Sequence, residues 1–297
     1  STDGFLANML PIPVKTLSAR PPEHKLRADY RSLFMKPISV FFAFIALLLP
    51  PLSLADASND RVRGLEIATE ADQRDSGWQY QSSDMEMILR NRAGKESRRK
   101  ISSRQLEVEG DGDKTLSLFH EPRDVRGTAM LTFSHGLEPD DQWLYLPAIK
   151  RVKRISSRNR SGPFMGSEFA FEDLSSQELD KYDYRYLRDE SCGAFQCYVI
   201  ERIPLYENSG YTRQIVWLDQ AEFRSIKIEY YDRKDELLKT LDFSDYQEYP
   251  GGYWRADRME MTNHQTGKST TLLWFNYDFE TPLKSGDFNK NALKRLL

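Results

Sequence analysis

Two cysteines and four histidines are the side chains in this chain best suited to metal, nucleophilic or acid–base chemistry. Cys192 and Cys197 stand in SCGAFQCYVI with four residues between them, and the histidines are His24, His120, His135 and His264. A zinc site needs about four ligands, and no second cysteine pair or nearby histidine supplies them. In a reducing compartment the cysteines would be thiols or a weak metal pair. In an oxidising one they would form a disulfide, clipping a hairpin whose turn Gly193 provides. The histidines show no HExxH-type spacing. Ser134 and His135 are adjacent, but adjacent strand positions face opposite ways, so they make no nucleophile–base pair. There is no GxSxG elbow and no phosphate-binding GxxxxGK[ST] loop. No cofactor motif is present, and enzymatic catalysis is not expected.

Charge points to contacts instead. The run Lys150-Arg-Val-Lys-Arg-Ile-Ser-Ser-Arg-Asn-Arg160 is the densest basic stretch. Lys150, Arg151, Lys153, Arg154 and Arg158 are candidates to meet an acidic partner or lipid head groups. The plainer role is a solvated strand edge that discourages unwanted pairing. Just beyond lies a long connection, RNRSGPFMGSEFAFEDLSSQELDK, at residues 158–181. It carries Phe164, Met165, Phe169 and Phe171, which would act either as a core plug or as a mobile apolar lid. Long loops in compact domains are often functional.

The compartment is read from MKPISVFFAFIALLLPPLSLADA at residues 35–57. Lys36 precedes an apolar run from Ile38 to Leu49, followed by Pro50, Pro51 and small-residue patterns at 53–55 and 55–57. This is the layout of a cleaved secretory signal. A run of about 12 residues falls short of the ~20 that span a bilayer as a helix. Residues 1–34, rich in proline and without period, are expected to be a non-native upstream extension. A mature chain would begin near Asp56 or Ser58 and lie in the periplasm. Residues 56–297 carry 36 basic and 42 acidic residues, a net charge near −6, which argues against nucleic-acid binding.

The elements that must position these residues are mostly strands. One helix is expected over Asp60–Gln73, with Val62, Leu65, Ala68 and Ala71 on its apolar face. About eleven to thirteen strand-like runs follow, from Met85–Arg90 to Ser269–Phe279, joined by short turns rich in Gly and Asp. Such connections favour an antiparallel sheet, and one this large must curl or split. Phe223, Ile226, Ile228 and Tyr230 are expected on one face. Trp143 and Tyr145 share one strand face, and Leu144 and Leu146 the other, so one pair should point into the interior. A short helix is expected near Ser175–Lys181. A last one is expected over Asp287–Leu297, with Phe288, Ala292 and Leu296 on one face.

The block from Asp141 to Ser157, DQWLYLPAIKRVKRISS, followed by Phe164-Met-Gly-Ser-Glu-Phe169 and Phe171-Glu-Asp-Leu174, closely resembles the LolA-like outer-membrane lipoprotein-sorting proteins. Pro122–Thr132 fits as well, and so does the order signal, helix, strands, terminal helix. The resemblance implies a mainly β fold in residues 58–297: a curved antiparallel sheet forming an unclosed barrel, with helices covering its concave face. It also implies a monomeric periplasmic carrier of lipid or lipoprotein acyl chains, working with an inner-membrane exporter of the resistance-nodulation-division class and an outer-membrane acceptor. The alternative is an accessory protein of such an exporter that carries nothing. For a carrier, Trp143, Tyr145, Phe164, Met165, Phe169 and Phe171 are the expected cavity or lid residues.

Overall fold

A computed structural model describes residues 54–296. The expected upstream extension and nearly all of the signal segment lie outside the described residues. The first described element is helix α1, Leu54–Arg74. The packed face of α1 is the expected one only at Ala68 and Ala71. Val62 and Leu65 are 56% and 49% exposed, whereas Ile67 and Ala68 are buried. Gly64 sets this orientation. A Cβ there would lie 2.6 Å from the Tyr186 backbone nitrogen, so the missing side chain lets the helix touch the strand. Gly64, Ile67, Ala68 and Ala71 then form one stripe at helical spacing.

Thirteen strands follow. They are β1 Tyr80–Arg90, β2 Glu96–Leu106, β3 Lys114–Glu121, β4 Ala129–Phe133, β5 Asp141–Leu146 and β6 Arg151–Ile155. After the long connection come β7 Tyr182–Cys192, β8 Phe195–Pro204, β9 Tyr211–Asp219, β10 Ser225–Asp232, β11 Leu237–Tyr249, β12 Tyr253–Asn263 and β13 Lys268–Asp278. All belong to one antiparallel sheet in the order β6-β5-β4-β3-β2-β1-β13-β12-β11-β10-β9-β8-β7. The sheet is not closed: β6 and β7 are its two ends. They are also consecutive in the chain. The connection 156–181 must therefore travel from one end of the curled sheet to the other, and it does so across the concave face.

Alternation sorts the strand residues as the pleat requires. Met85, Met87, Ile101, Phe119, Leu144, Ile200, Val216 and Met261 join α1 and the long connection in one inner core. Smaller clusters lie on the outer face. One joins Leu116, Leu131 and Tyr145 to Phe288 and Leu293, and the other joins Cys197, Val199, Ile215 and Trp217. A register shift between Ser225 and Lys227 breaks the face expected for β10. Ile226 joins the outer cluster, while Ile228 and Tyr230 stay inside, as a bulge dictates.

Two helical expectations are corrected. The Ser175–Lys181 segment holds only a 3-10 turn at Leu179–Lys181. The C-terminal segment is two 3-10 turns, Ser285–Asp287 and Leu293–Arg295. Phe288 and Leu293, 3% and 1% exposed, anchor it to the outer face. Five residues apart, they cannot share an α-helical face as well as residues three or four apart would, so the tail follows the sheet surface. Asp287 still caps locally, accepting the Lys284 N–H at 2.8 Å. One α-helix, rather than several, therefore accompanies the sheet among the described residues.

Candidate functional site

The centre of the concave face is occupied by the connection between β6 and β7. Its apex is a small hairpin: the Phe164 N–H donates to the Phe169 carbonyl at 2.7 Å, and Pro163 bridges Ala170. The turn uses left-handed backbone at Met165 and Gly166, with φ of 50° and 77°. Glycine takes that conformation freely, whereas methionine does so only under constraint. Phe164 is 2% exposed and packs against Phe119 and Phe171, with ring centroids 5.8 and 5.7 Å away. Phe169 is buried, and Met165 and Phe171 are partly so, all in the inner core. These four residues are brought together, and they fill the space where an apolar pocket was expected. Two open depressions are found among the described residues: one of about 300 Å³ borders the hairpin, walled by Gly166 and Glu168 with Leu89, Arg90 and Thr270, and one of about 360 Å³ lies on the outer face beside Trp143 and Phe288.

Side-chain hydrogen bonds hold this plug to the sheet. Arg99 Nη1 donates to the Met165 carbonyl at 2.6 Å, and the Glu168 N–H donates to Thr270 Oγ1 at 3.0 Å. Asn263 Nδ2 donates to Glu168 Oε2 at 2.8 Å, and Lys239 Nζ to the Glu168 carbonyl at 2.9 Å. Lys239 also pairs with Asp173 at 2.6 Å, and Asp173 accepts the Tyr211 hydroxyl at 2.8 Å. The Glu172 carboxylate accepts the Gly210 N–H, Ser209 Oγ and the Tyr206 hydroxyl. Burial, then the neighbouring Asp173 carboxylate, raises the Glu172 carboxyl above its ordinary value, while the Gly210 and Ser209 bonds pull it down. Both ends of the segment converge on Asp140, which pairs with Arg160 and Lys181 at 2.7 Å each. Nothing in the sequence marks these partners. The nearest signal is that charged residues are interleaved with the aromatic ones, which a solvated loop would also show.

The other expected site residues lie apart. Trp143 and Tyr145 face outward and pack with Phe133, Phe288 and Leu293, so they do not line the interior. Leu144 and Leu146 are the inward pair of β5. Lys150, Arg151, Lys153, Arg154 and Arg158 are all exposed along β6 and its flanks. The cysteines form the disulfide expected across the β7–β8 hairpin, with a Cα separation of 5.9 Å.

Ser134 and His135 do not pair with each other. Ser134 Oγ accepts the Ser176 N–H, while His135 Nδ1 meets Asp111 at 3.0 Å. His120 and His264 bond Ser102 and Thr240. Among the described residues, no group of three or more His, Cys, Asp or Glu is placed to hold a metal ion.

A family model described only as an uncharacterized protein matches residues 111–295. Among solved structures, the chain is 58% identical to one described as an outer membrane lipoprotein-sorting protein domain from Vibrio parahaemolyticus, covering 79% of this chain and 100% of that one at a TM-score of 0.78. It is 32% identical to a DUF1329 family protein from Desulfovibrio piger, covering 79% of this chain and 99% of that one at a TM-score of 0.75. A LolA superfamily protein from Nitrosomonas europaea shares the fold at 21% identity, covering 77% of this chain and 98% of that one at a TM-score of 0.63. Comparison with curated proteins gave no match.

Proposed function

Because the chain belongs to the LolA-like outer-membrane lipoprotein-sorting family, we propose that it is a periplasmic carrier of acyl chains or similar apolar ligands, and that residues 163–170 are a displaceable plug. The ligand would take the plug's place against the concave face and be released when the plug returns. One observation carries the reading. Beside α1, the space inside the sheet is filled by a segment that is fastened by side-chain hydrogen bonds and has no strand pairing to the sheet. Those bonds can be exchanged for water when the hairpin swings out, while the Asp140 pairs retain its ends. The magnitudes allow it. Exposing the two plug phenylalanines, Phe164 and Phe169, costs at most about 3 kcal/mol each. Burying a sixteen-carbon chain gains on the order of 12 kcal/mol, at about 0.8 kcal/mol per CH₂. An exported location is supported by the Cys192–Cys197 disulfide and by the signal-like segment 35–57.

A second reading has its own support. The filled interior is also what a protein that carries nothing would show, serving as an accessory of a resistance-nodulation-division-type exporter. Native mass spectrometry of the purified protein, followed by uptake of a fluorescent sixteen-carbon fatty acid, separates the two. A carrier should bind the probe, and the double variant Arg99→Ala/Asn263→Ala, with two latches removed, should take it up several-fold faster. Absence of bound lipid and of probe uptake in both forms would sink the carrier reading in favour of the accessory.

A further inference from the structure

We propose that β6 is a docking edge for an acidic, extended segment of a partner protein, which adds to the sheet as a further strand. The inference does not depend on whether the interior carries a ligand. Residues 150–160 hold six cations and no carboxylate, and β6 presents them at the end of the sheet, paired with β5 alone. Among the described residues, no backbone hydrogen bond reaches 151–155 except those from β5. The far edge of β6 therefore offers a row of unsatisfied donors and acceptors. The opposite end of the sheet is more heavily covered, because α1 lies against β7, with Gly64 in backbone contact at Arg185 and Tyr186, whereas only the short turn Leu293–Arg295 packs near β6, against Val152 on the outer face.

The cations themselves are largely uncommitted. Arg154 pairs with Asp141. Among the described residues, Lys150, Arg151, Lys153 and Arg158 have no ion pair, and all four are exposed. Edge cations can serve merely to repel other strands, but that role leaves a neighbouring feature unexplained. One strand in from the edge, Trp143 stands opposite Arg154 in register and walls the depression of about 360 Å³ with Phe133, Phe288 and Lys290. That is room for one large apolar side chain. An anionic membrane would engage the cations but would leave the backbone edge and the depression unused. An extended chain with alternating carboxylates and one aromatic residue satisfies all three features, with main-chain bonds supplying affinity and the pocket supplying register.

The test uses the purified protein and three probes. One is a fluorescein-labelled twelve-residue peptide alternating glutamate and valine, with one central phenylalanine. The second is the same peptide with proline at three of the valine positions. The third is vesicles of phosphatidylglycerol in phosphatidylcholine. The first peptide should bind, more weakly as salt rises, and should slow amide exchange at residues 151–155. Arg151→Glu/Lys153→Glu should weaken binding at least tenfold with an unchanged melting temperature, since both side chains are exposed. Equal binding of the proline-containing peptide would overturn strand addition. Binding to vesicles without binding to the peptide would assign the edge to lipid. Failure of the first peptide to bind, or protection confined to other segments, would equally refute the proposal.

Discussion

Lys239 Nζ lies 2.6 Å from the Asp173 carboxylate, with the two side chains only 4% and 5% exposed. The pair joins the start of β11 to the segment that carries the plug, and Nζ lies 5.2 and 5.1 Å from the Tyr211 and Tyr230 rings. A buried ion pair of this kind contributes little net stability over an apolar equivalent, but breaking it is costly, because one charge is left without a partner. It therefore fixes where the plug sits more than it strengthens the fold.

Asp173→Asn should lower stability by about 3–5 kcal/mol, the usual cost of leaving a buried charge unpaired. The joint replacement Asp173→Leu/Lys239→Met should recover most of that loss. Urea denaturation of the three proteins measures both quantities. A single variant within about 0.5 kcal/mol of the parent would show that Lys239 is solvated in solution.

Gly64→Ala should destabilise the protein although alanine is the better helix former by about 1 kcal/mol. The new Cβ would stand 2.6–2.8 Å from backbone atoms of Tyr186 and Arg185, which cannot rotate away. Overpacking of this kind typically costs about 1–3 kcal/mol, so the clash should outweigh the propensity. A melting temperature equal to or above the parent's would contradict the close contact between α1 and β7.

Asp113 should make stability pH-dependent near neutrality. Burial first, then the nearby Glu178 carboxylate, pushes its carboxyl from 3.8 up to about 7, and Glu107 and Asp75 add to the rise. The folded state thus holds a proton that the unfolded chain releases at lower pH. The resulting stability is fully present below about pH 4 and is lost as pH rises through about 7. Asp113→Asn should remove this slope and raise stability above pH 7. Denaturation midpoints across pH 4–8 check it, and parallel curves for parent and variant would rule it out.

Reduction of Cys192–Cys197 should cost stability at the low end of about 2–4 kcal/mol, since the closed loop is short. The folded protein should show no free thiol before reductant, because among the described residues both cysteines are in the bridge. A thiol titration finding two equivalents in native material would exclude the bridge.

Much of the secondary structure was legible from local pattern. Met85, Met87 and Leu89 alternate with polar neighbours and do turn one face to the inner core. The turns at Gly94 and Gly267 stand where the chain needs positive φ. Periodicity failed where something nonlocal intervened. Half of the stripe on α1, Val62 and Leu65, was misread because Gly64 is the point of closest approach and turns those two outward. The tail was misread because Phe288 and Leu293 are held by Tyr145 and its neighbours on the sheet.

What the sequence determined by itself is what depends on neighbours along the chain. This includes a long series of strands with hairpin turns, a cysteine pair spaced for one bridge, an aromatic segment between two strands, and a run of cations. What only the tertiary structure decided depends on which strands pair. β6 and β7 are consecutive in the chain, yet they end at opposite limits of the sheet, and this alone sends the aromatic segment across the concave face. The same pairing turned Leu144 inward and Trp143 outward, a choice that strand alternation leaves open because either face satisfies it. It also brought Lys239 to Asp173 and Asn263 to Glu168, partners 66 and 95 residues apart. A buried charge tolerates its position only when a counter-group is delivered there, and folding, not proximity in the chain, delivers it.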